Sequence, residues 1–434
     1  MKPNQGKIYL DPKRFGIVVA GRRFAKTTTL LYKLFSWAYN APEYDGGIWG
    51  YFAPTYKQAK LIAWDILKRI AEPKYLLNGR ANESDLQVIL KNGQPIRLFG
   101  VDKPESLFGI KLLGGVGDEF DHWKPKVYDT YLRPALSDTG GKFWFAGNPD
   151  STKRRLKALY DKIGLTVKEN PNAPYARYKF KSIDGGYIPA EEIEQAKRDL
   201  DERTYLEQYE AAFLDLLGQV YYGFSDANVC DIDPHGLPVS YNPRLPIRIH
   251  WDFNVNPFCV GVSHFIQRNG RDGLGHPYVY QDVHVIDEFV IRNSNTTEMA
   301  CVIREKYAQH KAGIICYGDA AGKARHTSSS MSDWQLIHNI FKDMQGFSLR
   351  VKEANPFVKD RINAVNSKLC NYQKERHVFI KPKCKRLVTD FMNVTFKDGS
   401  TDLDKSDLDL THISDGFGYM VDYEFPVIKT FVRS

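Results

Sequence analysis

One short stretch, residues 14–31, constrains this chain more than any other. Its sequence is R-F-G-I-V-V-A-G-R-R-F-A-K-T-T-T-L-L. The β-branched run Ile17–Val19 predicts a buried strand, and Lys26-Thr27 opens an apolar helix. A strand, a tight basic loop and Lys-Thr at a helix start form the arrangement of a phosphate-binding loop, whose backbone N–H groups surround the phosphates. In such a loop the lysine reaches the β and γ oxygens, and the threonine hydroxyl binds Mg²⁺.

The loop departs from the usual pattern G-x-x-x-x-G-K-[ST] at two positions. Ala20 and Ala25 stand where that pattern has glycine. Because a Cβ atom restricts φ, we expect helical or extended backbone at both alanines. Taken alone, the stretch also fits a basic turn that only caps a helix.

A second motif favours the nucleotide interpretation. The small and apolar run Lys111–Gly117 ends in Asp118-Glu119, which is typical of a strand that carries an acid pair to a bound nucleotide. Asp118 would hold Mg²⁺ through water, and Glu119 would orient the attacking water. Acid pairs are common at strand ends, but downstream of a phosphate-binding loop this pair indicates an NTPase.

Composition excludes several classes of protein. The 434 residues leave room for two domains. The sequence has no apolar run of membrane-spanning length and no apolar signal core at its N-terminus, so we expect a cytoplasmic protein. Six scattered cysteines without C-x-x-C or zinc spacing indicate reduced thiols. A net charge of +8 permits a polyanionic partner without requiring one.

Strands and helices alternate in the first half of the chain. Predicted strands at 48–53 and 142–147, a helix from Tyr56 and a hairpin around Asn92-Gly93 indicate a mostly parallel sheet with an antiparallel insertion. The turn Gly147-Asn148-Pro149 would place Asn148 beside the loop as a γ-phosphate sensor, and an Asn-Pro turn without further role fits equally well. From 151 to 218 we predict helices.

The strand pattern restarts in the second half, after a segment at 219–244 that is rich in Asp, Pro, Gly and Asn. Asp252 and Asp319 end predicted strands, and Asp415 lies in the last predicted helix. An RNase H-like domain gathers carboxylates in this way around two divalent metal ions, and oxygen ligands suit Mg²⁺ or Mn²⁺. Aspartates that only cap turns are the alternative. His412 is a candidate neighbour of these acids.

A series of short motifs runs in order over nearly the whole chain. The first half contains A-G-R-R-F-A-K-T, A-P-T-Y-K-Q-A-K, G-V-G-D-E-F, R-P-A-L-S-D and A-G-N-P, and the second contains W-D-F-N-V-N-P, Y-G-D-A-A-G and T-H-I-S-D-G-F-G-Y. The chain thereby resembles the large terminases of tailed bacteriophages, the motors that package viral DNA into a procapsid and cut it. The resemblance implies an α/β fold with a P-loop NTPase domain at 1–218, a linker at 219–244 and an RNase H-like nuclease domain at 245–434.

The resemblance also implies a role for each matching position. Glu119 would be the ATPase base, and Arg133 would reach the ATP of a neighbouring subunit. Serine or threonine is commoner in the family where Asn148 stands. The residues that would contact the nucleotide are Gly21, Arg22, Arg23, Phe24, Ala25, Lys26, Thr27, Asp118 and Asn148. The residues that would hold metal are Thr27 and Asp118 in the ATPase, and Asp252, Asp319 and Asp415 in the nuclease, where these three also act in catalysis.

The implied cofactors are ATP and Mg²⁺, with Mn²⁺ as an alternative in the nuclease site. The implied partners are double-stranded DNA, a portal protein, a small terminase subunit and further copies in a homo-oligomeric ring, assembled from monomers in the host cytoplasm on the procapsid. Basic clusters predicted to contact DNA are Lys153–Lys157, Lys381–Arg386, Arg268 and Arg271. The alternatives are a DNA-dependent ATPase or helicase with a degenerate second domain, and a non-enzymatic assembly protein on the same fold.

Overall fold

A computed structural model describes residues 1–42, 46–151, 153–214, 218–253, 256–324, 331–397, 400 and 402–427. The chain divides into two units, one of Met1–Pro189 with Leu206–Leu216 and one of Ala190–Tyr205 with Leu217–Ser434. Within the described ranges, no helix is long and apolar enough to cross a membrane.

The first unit contains a seven-stranded sheet in the order β3-β4-β2-β5-β6-β1-β7. Every pair of neighbours is parallel except the antiparallel pair β3–β4. The strands are β1 Phe15–Ala20, β2 Ile48–Ala53, β3 Gln87–Ile89, β4 Pro95–Gly100, β5 Leu112–Gly117, β6 Lys142–Gly147 and β7 Tyr175–Phe180. The helices are α1 Pro3–Leu10, α2 Lys26–Tyr39, α3 Tyr56–Ala59, α4 Asp65–Ile70, α5 Arg133–Ala135 and α6 Arg155–Glu169, with π-helical turns at Lys60–Trp64 and Tyr128–Leu132.

Two hydrophobic cores cover the two faces of this sheet. Val18 packs in the core that contains Leu30 and Leu34 of α2, whereas Ile17 and Val19 pack in the core on the other face. Every residue of β1 is buried. A central parallel strand covered on both faces reads as a continuous apolar run, and this is why β1 was recognisable from its sequence.

The prediction of helices from 151 to 218 is wrong at Tyr175–Phe180, which forms β7 and pairs in parallel with β1. Arg177 and Lys179 of β7 are exposed, since an edge strand turns alternate side chains to solvent. In the sequence, these charged residues of β7 look like the exposed face of a helix, because the segments on both sides are charged helices. The end of the predicted helical region, 215–217, lies outside the described residues.

The second unit contains a six-stranded mixed sheet in the order β12-β11-β8-β9-β10-β13. β9 is antiparallel to β8 and β10, and the other neighbours are parallel. The strands are β8 Ile247–Asp252, β9 Phe258–Arg271, β10 Pro277–Ile291, β11 Ile314–Gly318, β12 Ser348–Leu349 and β13 Val378–Ile380. The helices are α7 Ala190–Asp199, α8 Glu202–Gln208, α9 Thr296–Lys306, α10 Asp333–Phe341, α11 Val358–Leu369, α12 Lys385–Asn393 and α13 His412–Glu424. Of α8, the residues up to Tyr205 belong to this unit. The predicted fold class is confirmed in its main features, since a mostly parallel α/β unit is followed by a second α/β unit with a mixed sheet.

Residues 190–205 pack within the second unit, although they precede the predicted linker. The Nδ2 of buried Asn371 donates to the Arg198 carbonyl at 3.1 Å, and the Tyr205 and Tyr372 rings lie 4.1 Å apart. Within the predicted linker, Val220 belongs to the hydrophobic core of this unit. The domain boundaries at 218 and 245 stay predictions of where one independently folding domain ends and the next begins.

Removing residues 190–205 should destabilise the second unit. We expect a fragment 190–434 to be more stable than a fragment 206–434 by about 2–4 kcal/mol, because the shorter one loses an aromatic pair and one of the two acceptors of the buried Asn371 amide. Thermal melting followed by circular dichroism measures the difference. Equal melting temperatures would show that the segment does not contribute to this fold.

Candidate nucleotide and metal sites

The loop between β1 and α2 has an unusual backbone. Arg23 and Ala25 are left-handed, with φ of 63° and 69°. The expectation of extended backbone is correct for Ala20, the last residue of β1, and wrong for Ala25. A left-handed alanine costs about 1–2 kcal/mol. The turn persists because the Ala25 carbonyl accepts both the backbone N–H and the hydroxyl of Thr29, at 3.0 and 2.8 Å.

Gly21 and Phe24 anchor the loop to the rest of the first unit. A Cβ atom on Gly21 would lie 2.3 Å from the Ser182 Oγ and 2.7 Å from the Tyr209 carbonyl oxygen, so only glycine fits. Phe24 is fully buried and stacks on Phe180 of β7 with ring centroids 4.8 Å apart. The strand missed by the sequence analysis therefore supports the loop.

Lys26 points into the loop. Its Nζ donates to the Ala20 carbonyl at 3.0 Å, to the Gly21 carbonyl at 3.3 Å and to Asn148 Oδ1 at 2.7 Å. Burial lowers the pKa of Lys26. Asn148 follows β6, the strand between β1 and β5, and its Nδ2 is buried with no partner among the described residues. The Lys26 ammonium and the Asn148 amide thus meet beside the loop. The Asn148 Nδ2 is a buried donor at this place that has no partner among the described residues.

The acid pair lies at the neighbouring strand end. Asp118 accepts the Thr27 hydroxyl at 2.5 Å and the buried Tyr51 hydroxyl at 2.9 Å, both on Oδ2. Burial and then the charge of Asp118 raise the pKa of Glu119. The paired hydroxyl and carboxylate oxygens of Thr27 and Asp118 are donors that Mg²⁺ prefers. Tyr51 was missed, because one tyrosine in an apolar strand looks like an ordinary core residue.

The predicted arginines lie at opposite ends of the sheet. Arg22 is close enough to lower the pKa of both Lys26 and Glu119, although burial is the largest influence on each. The Arg133 guanidinium lies 5.4 Å from the ring of Phe15, the first residue of β1. The loop follows the last residue of β1, roughly 17 Å away at the usual rise per residue. Arg133 therefore does not reach the loop of its own chain.

The second unit brings the three predicted acids to one edge. Asp252 ends β8, and Asp319 follows β11, which pairs in parallel with β8 so that Gly318 lies opposite Trp251. α13 carries Asp415 and crosses this edge closely, because a Cβ on Gly416 would lie 3.1 Å from the Trp251 carbonyl carbon. The motif that begins at Trp251 continues into residues 254–255, outside the described residues.

Each acid has a polar partner from another part of the fold. His412 Nδ1 lies 3.2 Å from Asp252 Oδ2, as the sequence suggested, and this hydrogen bond raises the pKa of His412. Arg361 Nη2 donates to Asp415 Oδ1 at 2.7 Å, and Asn355 Nδ2 donates to Asp319 Oδ1 at 2.7 Å. Arg361 and Asn355 are not recognisable as site residues from the sequence, because only tertiary packing brings them to the acids.

The donor set at this edge fits a hard divalent cation. Three carboxylates suit Mg²⁺ or Mn²⁺ and do not suit a soft metal ion. In the part of the chain that the structure describes, no three His, Cys, Asp or Glu side chains converge as they would around a metal ion. The carboxylates instead contact His412, Arg361 and Lys405, whose Nζ lies 3.7 Å from Asp415.

Several basic residues predicted to contact DNA have partners within the protein. Arg268 pairs with Asp233 and Asp282, both with fully buried side chains. Lys381 pairs with Asp231 at 2.5 Å, and Lys383 pairs with Asp287 at 2.8 Å. The structure therefore assigns Arg268 to an internal network.

Solved structures share this architecture. The large terminase of a thermophilic bacteriophage aligns with a TM-score of 0.58 and 17% identity over 97% of this chain and 98% of that chain. The chain has the fold of a bacteriophage large terminase. The same phage protein in complex with ADP aligns with a TM-score of 0.55 and 18% identity, over 97% and 99% of the two chains. Its complex with ATP-γ-S gives 0.54 and 17%, over 97% and 98%.

The terminase fold is recognised from structure alone in these comparisons. No protein family model matches the sequence, and no curated protein matches it. The resemblance carried by the short motifs is confirmed at the level of the fold.

In the second unit, the buried ion pair of Arg361 with Asp415 should be costly to break. Replacing Arg361, which is 4% exposed, with Met should destabilise the second unit by about 3–5 kcal/mol, because the buried Asp415 carboxylate loses its counter-charge. Urea unfolding of the 190–434 fragment measures this loss. Adding Asp415→Asn to Arg361→Met should restore most of the stability. Equal destabilisation in the single and double variants would mean that lost packing, not charge, is responsible.

Proposed function

We propose that this chain is a terminase large subunit, which uses ATP hydrolysis to translocate double-stranded DNA into a procapsid and cuts concatemeric DNA with a metal-dependent nuclease. The convergence of Lys26, Asn148 and the Thr27–Asp118 pair on one loop carries the proposal. A terminase fold over 97% of the chain supports it. The acid edge of the second unit disfavours a helicase with a degenerate second domain.

In the proposed ATPase, the residues of the loop exchange partners when ATP binds. Lys26 leaves its loop carbonyls and Asn148 for the β and γ oxygens. Asn148, released from Lys26, is placed to sense the γ-phosphate. Glu119 orients the attacking water and accepts its proton. Thr27 and Asp118 hold Mg²⁺. The ADP and ATP-γ-S complexes of the thermophilic phage terminase support an adenine nucleotide as the ligand.

In the proposed nuclease, Asp252, Asp319 and Asp415 hold Mg²⁺ or Mn²⁺. A bound pair of such ions would supply the Lewis-acid chemistry that activates water and stabilises the leaving oxygen of a phosphodiester. The protein's own contribution is orientation, since His412 fixes Asp252 and Arg361 fixes Asp415.

The proposed partners follow from this role. They are double-stranded DNA, a portal protein and a small terminase subunit, with further copies of the chain in a packaging ring on the procapsid. The host cytoplasm is the proposed location.

Two substitutions should separate the proposed activities. Lys26→Ala should abolish ATP turnover, because no other ammonium of the loop reaches the β and γ oxygens, and should leave metal-dependent DNA cutting intact. Asp252→Ala should abolish cutting and leave DNA-stimulated ATPase intact, because one carboxylate of the acid edge is lost. Plasmid cleavage and ATP hydrolysis are scored in the same tube with Mg²⁺ or Mn²⁺.

Each outcome assigns or removes one site. ATPase that survives Lys26→Ala contradicts the phosphate-binding loop, and plasmid that is still linearised by Asp252→Ala contradicts the acid edge. Lys33→Met is a matched control for the ATPase, because Lys33 is a second buried lysine of α2 that hydrogen-bonds the end of α1 instead of the loop.

Arg133 should act on the ATP of a neighbouring subunit, because it lies at the opposite end of β1 from its own loop. An arginine supplied in this way accelerates phosphoryl transfer by roughly 10³–10⁵-fold. Arg133→Ala and Lys26→Ala should each be inactive, and a mixture should regain turnover with procapsid and DNA present. Arg14→Ala, on the same edge, should keep its activity. No recovery under conditions in which wild type packages DNA rules out action in trans.

A further inference from the structure

A crevice opens beside Asp319 in the second unit. It is open to solvent and is lined by Gly318, Arg350, Lys352, Asn355, Pro356, Tyr419, Asp422 and Tyr423. Asn355 connects the crevice to the acid edge, because its Nδ2 donates to Asp319 Oδ1 at 2.7 Å. Tyr419 does so as well, with its hydroxyl 3.4 Å from Asp319 Oδ2.

The crevice presents cations that are held in place. Lys352 pairs with Asp422, whose side chain is 5% exposed, and Arg350 pairs with Glu424 at 2.5 Å. Glu424 is fixed in turn by the Tyr317 hydroxyl at 2.6 Å. A guanidinium has five N–H donors and an ammonium has three, so these ion pairs leave donors for a further ligand. The side chains of Lys352 and Arg350 stay 37% and 40% exposed.

More donors line or border the same space. Asn355, Tyr419 and Tyr423 are among the residues that line it. Lys323 lies at its border, with its Nζ 2.9 Å from the Lys352 carbonyl. Two cations, the second N–H of the Asn355 amide and the Tyr423 hydroxyl form a set of donors that suits an anion with several acceptor oxygens, such as a phosphate.

The position of the crevice identifies the phosphate. The acid edge carries three carboxylates, which repel the DNA backbone except where a cation intervenes. Because Asn355 both lines the crevice and contacts Asp319, a strand whose scissile phosphate lay at Asp319 would bring its next phosphate to the crevice. On the basis of the proposed nuclease function, we propose that Lys352 and Arg350 bind the phosphodiester adjacent to the one that is cut, and so set the position of the strand.

Salt dependence tests the contact directly. Binding of the full-length chain to a fluorescein-labelled 30-base-pair duplex is measured by anisotropy in EDTA, so that no DNA is cut. Each phosphate neutralised by the protein contributes a slope of about −0.9 to log K against log salt. Lys352→Met should reduce the magnitude of the slope by about that amount and weaken binding about eightfold near 0.1 M salt.

Two further variants separate binding from stability. Lys374→Met removes an exposed lysine that pairs with Glu202 at 2.6 Å and should leave the slope unchanged. Lys352→Met combined with Asp422→Asn avoids a buried unpaired carboxylate and should still show the reduced slope. If Lys352→Met, the double variant and Lys374→Met all keep the wild-type slope, the contact does not exist.

Cutting assays locate the contact on the DNA. A single neutral methylphosphonate beside the mapped cut site should raise KM for wild type without lowering kcat, and it should have no added effect in Lys352→Met. An equal added effect in both proteins would overturn the assignment. The proposed function fails separately, if Asp252→Ala cuts DNA as wild type does. If Asp252→Ala abolishes cutting and Lys352→Met keeps the wild-type salt slope, the proposed nuclease stands and only the phosphate contact in the crevice is rejected.

Discussion

Both candidate sites depend on the pairing of parallel strands. In a parallel sheet the carboxyl ends of neighbouring strands meet at one edge, which is where ligands bind in open α/β folds. In the first unit β1, β6 and β5 end together, so their following residues Lys26, Asn148 and Asp118 converge although they are far apart in sequence. In the second unit β8 and β11 do the same for Asp252 and Asp319.

The charges at these edges are balanced by the protein itself. A buried ion without a partner is costly, and each site supplies a partner for its buried ion. Lys26 is bound by loop carbonyls and by Asn148, and Asp415 is bound by Arg361. Gly418 allows the second contact, because a Cβ there would lie 2.9 Å from the Arg361 side chain. The carboxylates of the acid edge are thus held in place by other side chains of the protein.

Local patterns in the sequence predicted most of the framework. The apolar run of β1, the Asn92-Gly93 hairpin and the strand-end acids depend on neighbouring residues, and these predictions agree with the elements observed. β7 was missed because its pattern is that of an edge strand in charged surroundings. The left-handed Ala25 was missed because the loop requires a turn that propensity alone disfavours.

Partners that arise only from tertiary packing were also beyond prediction. Tyr51, Arg361 and Asn355 each contact a predicted site residue, but no spacing in the sequence distinguishes them from ordinary core or surface residues. Their roles depend on which strand or helix lies beside which, and a single sequence does not give that information. The sequence therefore located the side chains at the strand ends, whereas most of the residues around them are recognisable only in the structure.

The contacts of Lys26 within the loop have a kinetic consequence. A nucleotide that binds there must displace three acceptors from the ammonium. Its binding free energy therefore depends on the difference between the hydrogen bonds gained and the hydrogen bonds lost by Lys26. When a nucleotide leaves, the same acceptors take the ammonium back, and no buried charge is left without a partner. In the proposed ATPase, this exchange lowers the barrier to product departure at the cost of tight binding.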